Sequence, residues 1–386
     1  MAFTGSITKL VLPGYIDSGA RAHAKVKTAA IDLANGFLYV TTASSPLRMS
    51  YNVVKIRLSD FTYVTTLAGQ NTSWPEAVSV VKHPTLNKLY HTLTGSTGIN
   101  DWIGSTFGLS IAPLGMGWFG STAFTGRHTV QYDLTRDRIY STGINTVNGT
   151  LHLTSTEGVS FVTTNFNSVP TNAFCVIDNT YTYAYVISGQ NPERIFKFDL
   201  ATQTVVGTTI TGFNIYSVFC KDLVNNFAYF GTTNNFILKF NLTTGLQHSA
   251  VATTQVPRGG GEYLNYNTYH DKIYTMVNGP GNILRVLEID ATSLTVSDTL
   301  DFPEYVGSQT QSPVTMDQDN GFIYVGTPLT TPGVVIKIGI TPPPPANVPK
   351  SGGPSIKRKP YPLSPSMLGG GNGNSGFGMK PKSIRP

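Results

Sequence analysis

A tyrosine recurs through this chain with a fixed polar companion, and the recurrence counts to seven. Tyr39, Tyr90, Tyr140, Tyr185, Tyr229, Tyr274 and Tyr324 follow Asp32, His83, Asp133, Asp178, Asp222, Asn267 and Asp317 by seven residues each. Successive tyrosines stand 51, 50, 45, 44, 45 and 50 residues apart. Self-similarity at such a period marks an architecture of stacked or radial repeats. Between polar residue and tyrosine lie turn-forming pairs such as Asn35-Gly36, Asn225-Asn226, His270-Asp271 and Asn320-Gly321. They fall where a hairpin needs positive φ.

A third strand with strict alternation follows most of these hairpins: Val53–Leu58, Arg194–Leu200, Phe236–Leu242 and Val334–Ile338. A turn and a fourth strand come next, as in Ala201-Thr202-Gln203 and Thr204–Gly207. Four antiparallel strands per unit is the plan of a β-propeller blade, so the expected fold is all-β, a seven-bladed propeller over residues 1–340. The last unit runs from Val334–Ile340 into Pro342-Pro343-Pro344-Pro345 with no fourth strand of its own, while Ile7–Leu12 is a strand without a unit. Residues 6–12 are therefore expected to complete the last blade and close the ring, removing two open edges.

Leu38-Tyr39-Val40-Thr41-Thr42, Ile323-Tyr324-Val325-Gly326-Thr327 and Ile195-Phe196-Lys197-Phe198-Asp199-Leu200 resemble the YVTN-type β-propeller repeat, related in look to the NHL and quinoprotein-like propellers. The resemblance covers roughly residues 6–340 and implies the fold. It implies no activity, because the matching residues are structural ones inside blades.

Composition agrees with short strands and many turns: only 12% of the 386 residues are charged, against 11% aromatic and 39 Gly. That excludes a disordered polyelectrolyte and a charge-laced coiled coil. No apolar run is long enough to span a membrane as a helix, so no membrane insertion is expected. The opening Met1–Ser6 lacks the basic and apolar regions of a signal peptide, from which synthesis in the cytoplasm is expected. Two cysteines, Cys175 and Cys220, exclude a disulfide framework, and their positions in successive inner strands, offset by one, point them to opposite faces as buried thiols.

Charge is concentrated at one end. Residues 341–386 carry Lys350, Lys357, Arg358, Lys359, Lys380, Lys382 and Arg385 with no acid, a net +7, which leaves the first 340 residues at −1. The tail also holds 11 of the 24 Pro, a composition that cannot bury a core. It is expected to bind other proteins of a larger assembly through Lys357, Arg358, Lys359, Tyr361, Phe377, Lys380, Lys382 and Arg385. Nucleic acid is the alternative partner for its Lys357-Arg358-Lys359 run.

Two further candidate surfaces follow from the repeat. Loops entering the inner strands rim one mouth of the channel and bring Lys25, Glu76, Arg127, His128, Asn172, Tyr216, Arg258, Glu262 and Gln311 to it, a mixed set suited to a small polar ligand. Residues 94–126 hold Trp102, Phe107, Trp118, Phe119 and Phe124 with Asp101 as their one charge, the make-up of a protein contact or of buried strands. The Asp row itself is read as turn capping, since equivalent positions in different blades need not converge.

Motifs for catalysis, cofactors and metal are missing. There is no His-Glu-x-x-His, phosphate-binding loop, nucleophile elbow or Cys-x-x-Cys. Gly371–Gly376 fits the dinucleotide pattern but follows no strand and opens no helix, and His83 with His91 is read as a surface pair. No cofactor and no metal are expected. The leading expectation is a non-enzymatic structural or binding protein, a propeller tethered to a larger assembly and similar by analogy to capsid, spike or tail components of virions. The alternatives are a lactonase- or hydrolase-type enzyme at the channel mouth and an intracellular protein-interaction scaffold.

Overall fold

A computed structural model describes residues 3–13, 24–43, 51–68, 76–82, 88–94, 102–107, 124–125, 130–145, 151–157, 160–166, 173–188, 194–213, 215–232, 236–252, 264–306, 313–327 and 332–343. The chain divides into two compact units, Met1–Pro343 and Pro344–Pro386, and the second lies outside the described residues.

Alternating and β-branched stretches become strands as their pattern requires, and among the described residues these form seven antiparallel sheets. After β1 (Phe3–Val11), sheet one comprises β2 (Ala24–Asp32), β3 (Phe37–Ala43), β4 (Tyr51–Arg57) and β5 (Thr62–Ala68). Sheet two shows β6 (Glu76–Lys82), β7 (Lys88–Thr94) and β8 (Trp102–Phe107). Sheet three runs β10 (Val130–Asp133), β11 (Arg138–Asn145), β12 (Leu151–Glu157) and β13 (Ser160–Phe166), with the short β9 (Phe124–Thr125) also on β11.

Sheet four is β14 (Ala173–Ile177), β15 (Tyr183–Ser188), β16 (Arg194–Asp199) and β17 (Thr204–Ile210). Sheet five is β18 (Ile215–Asp222), β19 (Phe227–Thr232), β20 (Phe236–Asn241) and β21 (Leu246–Ala252). Sheet six is β22 (Leu264–Asn267), β23 (Lys272–Asn278), β24 (Ile283–Asp290) and β25 (Val296–Val306). Sheet seven contains β26 (Val314–Asp317), β27 (Phe322–Gly326) and β28 (Val334–Ile340), and its fourth strand is β1.

β1 lies antiparallel on β28 with Ile7 opposite Ile338 and Val11 opposite Val334. It starts at Phe3, earlier than the alternating pattern indicates. Gly5, at φ 78°, sits in a register shift between Phe3 and Ile7 that interrupts the period of two. Leu12 falls just past the strand, buried, with its N–H donating to the Gly333 carbonyl at 2.9 Å.

Hydrophobic clusters lie between sheets rather than within them. Tyr140 and Phe166 of sheet three pack with Cys175, Val186 and Phe198 of sheet four. Phe174 and Ile195 meet Phe219 and Phe230 of sheet five, and Cys220 and Ile237 meet Leu264 and Ile273 of sheet six. Met276 and Val286 then meet Val314 and Ile336 of sheet seven, and Tyr324 and Val335 meet Leu38 and Val54 of sheet one. Cys175 and Cys220 are buried in two different clusters, as their offset in the inner strands implies.

Candidate functional site

The first turn of six of the sheets shows what the Asp row does. Asp222 is 1% exposed, and its Oδ1 accepts from the Val224 and Asn225 N–H groups at 2.8 and 3.0 Å while Oδ2 accepts from Asn225 Nδ2 at 2.8 Å. Asp32 and Asp317 bind Asn35 and Asn320 through the same two oxygens. Asp133 caps Thr135 and Arg136 and holds the Arg136 guanidinium at 2.8 Å, and Asp178 caps Thr182 and Tyr183. Asn267 keeps the cap to Tyr269 at 2.9 Å, but its buried Nδ2 finds no acceptor. The chain then turns through positive φ at Gly36, Asp137, Tyr181, Asn226, Asp271 and Gly321. His83 lies outside the described residues.

Tyr140, Tyr185, Tyr229, Tyr274 and Tyr324 pack in clusters shared with the next sheet. Tyr39, Tyr140, Tyr185, Tyr229, Tyr274 and Tyr324 are all buried. Loss of water pushes the Tyr39 hydroxyl up to about 12, with the Asp32 charge adding to it, and burial raises Tyr185, Tyr229, Tyr274 and Tyr324 further. These phenols stay protonated and can only serve as neutral partners.

Opposite four of these tyrosines, the third strand places a lysine: Lys55, Lys197, Lys239 and Lys337. Each ammonium lies over the ring two residues before the tyrosine, at 3.7 Å from Phe37, 4.0 Å from Tyr183, 4.6 Å from Phe227 and 3.9 Å from Phe322. Two of them also reach the following sheet: Lys197 Nζ donates to the Thr243 carbonyl at 3.4 Å and Lys239 Nζ to the Ala291 carbonyl at 3.2 Å. The Tyr185 hydroxyl donates to the Leu242 carbonyl in the same turn. Sequence reading passed over this lysine row, although each of the four alternating third strands carries its lysine in plain view.

Sheet six is built differently. Glu288 replaces the lysine opposite Tyr274, and Lys272 replaces the aromatic ring. Lys272 Nζ binds Asp290 Oδ2 at 2.9 Å, and hydrogen bonds, first that of the Ser293 N–H, hold the Asp290 carboxyl down at about 2.

Of the channel-mouth candidates, Lys25, Glu76 and Tyr216 stand in the opening residues of β2, β6 and β18, at the strand ends away from the capped turns. Arg127, His128, Asn172, Arg258, Glu262 and Gln311 lie outside the described residues. Deeper in, Lys221 Nζ donates to the Ile177 carbonyl at 3.1 Å and Asn265 Nδ2 to the Val314 carbonyl at 2.5 Å, cross-tying neighbouring inner strands. Trp102 and Phe107 bound β8, and Phe124 opens β9 opposite Asn145. Trp118, Phe119 and the tail residues lie outside the described residues. Among the described residues no group of three or more His, Cys, Asp or Glu can hold a metal ion, and no helix is long and apolar enough to cross a membrane.

No protein-family model and no curated protein sequence matches the chain. Its structure is similar to the crystal structure of the Cps50 (Swd1) β-propeller domain of Myceliophteria thermophila, with a TM-score of 0.60 at 10% identity over 81% of this chain and 96% of that one. Together with the antiparallel sheets described above, this identifies the fold as a β-propeller.

Proposed function

We propose that the chain is a non-enzymatic protein-interaction scaffold, a closed seven-bladed propeller of the YVTN-like kind whose blades are the seven sheets. Closure is supported by the passage from sheet seven to sheet one. There the Val26 N–H donates to the Thr327 carbonyl at 3.1 Å, the Tyr324 ring lies 5.7 Å from Phe61, and Lys337 points toward Phe61. The contact repeats what Tyr185 and Lys197 do toward sheet five.

One observation carries the scaffold reading: the repeated polar positions are spent on the fold itself. The Asp row caps turns, Lys197, Lys239 and Tyr185 hydrogen-bond carbonyls of the following sheet, and five of the tyrosine rings pack between sheets. Variation is left to segments outside the repeated positions, and the aromatic stretch 94–126 and the basic tail are the ones we assign to a partner. Propellers present such segments on a rigid frame, so contact residues can change without disturbing the core.

Attachment to a larger assembly through the tail, with a virion component as one instance, is favoured by a second observation. The tail holds +7 while the body is at −1, so its cations have no counter-charge to meet on balance in the propeller. Crosslinking in the assembled state tests both readings, with contacts expected at residues 102–124 and 346–386. Alanine at Glu76, Arg127, His128 and Glu262 should leave assembly intact. A metal held by three or more of the mouth side chains would turn the reading toward a hydrolase.

A further inference from the structure

We propose that β1 is an exchangeable strand, and that the edge of β28 is a docking surface for β1 of a second copy of this chain. The inference rests on the β1–β28 pairing and needs no assumption about the number of blades.

The two strands are unequal partners. β28 is buried at every position but Lys337, its side chains locked between sheets six and one. In β1, residues Thr4 to Lys9 are all exposed, and Ile7 and Val11 keep 41% and 58% of their surface in water. β1 is therefore held chiefly by its backbone ladder, continuous only from Ile7 to Val11. Removing it would leave the sheet-seven core in place but uncover a flat edge, Val-Val-Ile-Lys-Ile-Gly-Ile, with one charge and no proline. Such an edge recruits another strand.

The occupant is specified by what β1 already touches. Phe3 sits edge-on to Tyr274 at 6.1 Å, Lys9 pairs with Glu304 and lies 5.5 Å from the Tyr305 ring, and Leu12 is buried against sheets one and seven. A second copy's β1 reproduces all of these contacts, whereas an unrelated strand reproduces only the ladder.

The connection permits exchange. Twelve residues, 12–23, separate β1 from β2, whereas four residues, 211–214, suffice between β17 and β18 for the same outer-to-inner passage. Extended, twelve residues span on the order of 40 Å. Native contacts are the same in both arrangements, so protein concentration during folding sets the balance.

Cysteine trapping tests the proposal. Thr8 and Lys337 are opposed in the ladder, so the T8C K337C double variant reports the pairing within one chain. The single variants T8C and K337C, refolded together at high concentration, should yield a covalent heterodimer whose linked peptide joins residues 8 and 337. Its yield should rise several-fold over that from mixing the two already folded. A crosslink in the double variant with none between the co-refolded singles would overturn the exchange. If neither forms, β1 does not rest on β28 in solution and the proposal falls with it.

Discussion

The Tyr274 hydroxyl donates to the Glu288 carboxylate at 2.7 Å, and both groups are buried. In four other sheets the residue facing the tyrosine is a lysine resting on an aromatic ring. Two of those lysines bind a carbonyl in the following sheet's third-to-fourth-strand turn. Sheet seven has no such turn, because its fourth strand is β1. With no turn ahead of it, the pair in sheet six is satisfied internally, through Tyr274, Ser297 and Lys272.

Glu288→Ala should destabilise the protein by about 2–3 kcal/mol, since it removes a charged acceptor from buried donors. Glu288→Gln keeps an acceptor and should cost about 1 kcal/mol. Glu288→Lys should be the worst of the three, facing Lys272. Adding Lys272→Phe restores the pairing used in the other sheets and should recover about 1 kcal/mol, a coupling read from urea unfolding of the four corners of the cycle.

Two tyrosines of the same row should respond in opposite ways. Tyr185 hydrogen-bonds the Leu242 carbonyl, while the buried Tyr229 hydroxyl finds no hydrogen-bond partner. Tyr185→Phe strands a buried acceptor and should cost about 1–2 kcal/mol. Tyr229→Phe removes an unpaid desolvation and should be neutral or stabilising. Equal losses for the two would show that the hydroxyls do not differ as described.

Much of this was legible in the sequence because it is written in local rules. The Asp-to-Tyr distance is fixed by a hairpin of fixed length, so the seven units can be counted and their turns placed. The N-terminal strand stood out because the last unit lacked a partner for Val334–Ile340. The lysine row escaped because its distance from the tyrosine changes with the loop between second and third strands, from Lys239 close after Tyr229 to Lys55 well beyond Tyr39. Glu288 escaped for a different reason. Its identity depends on a turn missing from the neighbouring sheet, which no reading of sheet six alone reveals. A ligand site at a channel mouth would follow no local rule at all, since it would need side chains from many loops at once.

The proposed ring closure makes a sharp prediction at Gly326. A Cβ there would lie 2.7 Å from Val26 Cβ and 2.9 Å from Pro313 Cγ, so the last sheet meets the first at a point with no room for a methyl group. Gly326→Ala should lower stability by about 1–3 kcal/mol through overpacking. Gly212, with nothing near it, is the control, and Gly212→Ala should change little. A harmless Gly326→Ala would mean that sheets seven and one are not seated against each other in solution.

The last prediction concerns the division of the chain at Pro343. Residues Met1–Pro343 form a compact unit with its own cores, whereas 344–386 carry seven cations, no acid and apolar residues too sparse for a core. Deleting residues 346–386 should therefore leave the thermal midpoint within about a degree of the full chain while abolishing attachment to the larger assembly proposed above. Salt dependence distinguishes the partners. Seven neutralised phosphates on duplex nucleic acid would give a log–log slope of about −6. A protein groove that takes Tyr361 and Phe377 along with the prolines should respond weakly, because apolar burial is not screened and proline lowers the ordering entropy by pre-setting φ. The weak response is expected. A steep slope would make nucleic acid the tail's partner, and normal attachment of the truncated chain would move the partner surface from the tail to the propeller.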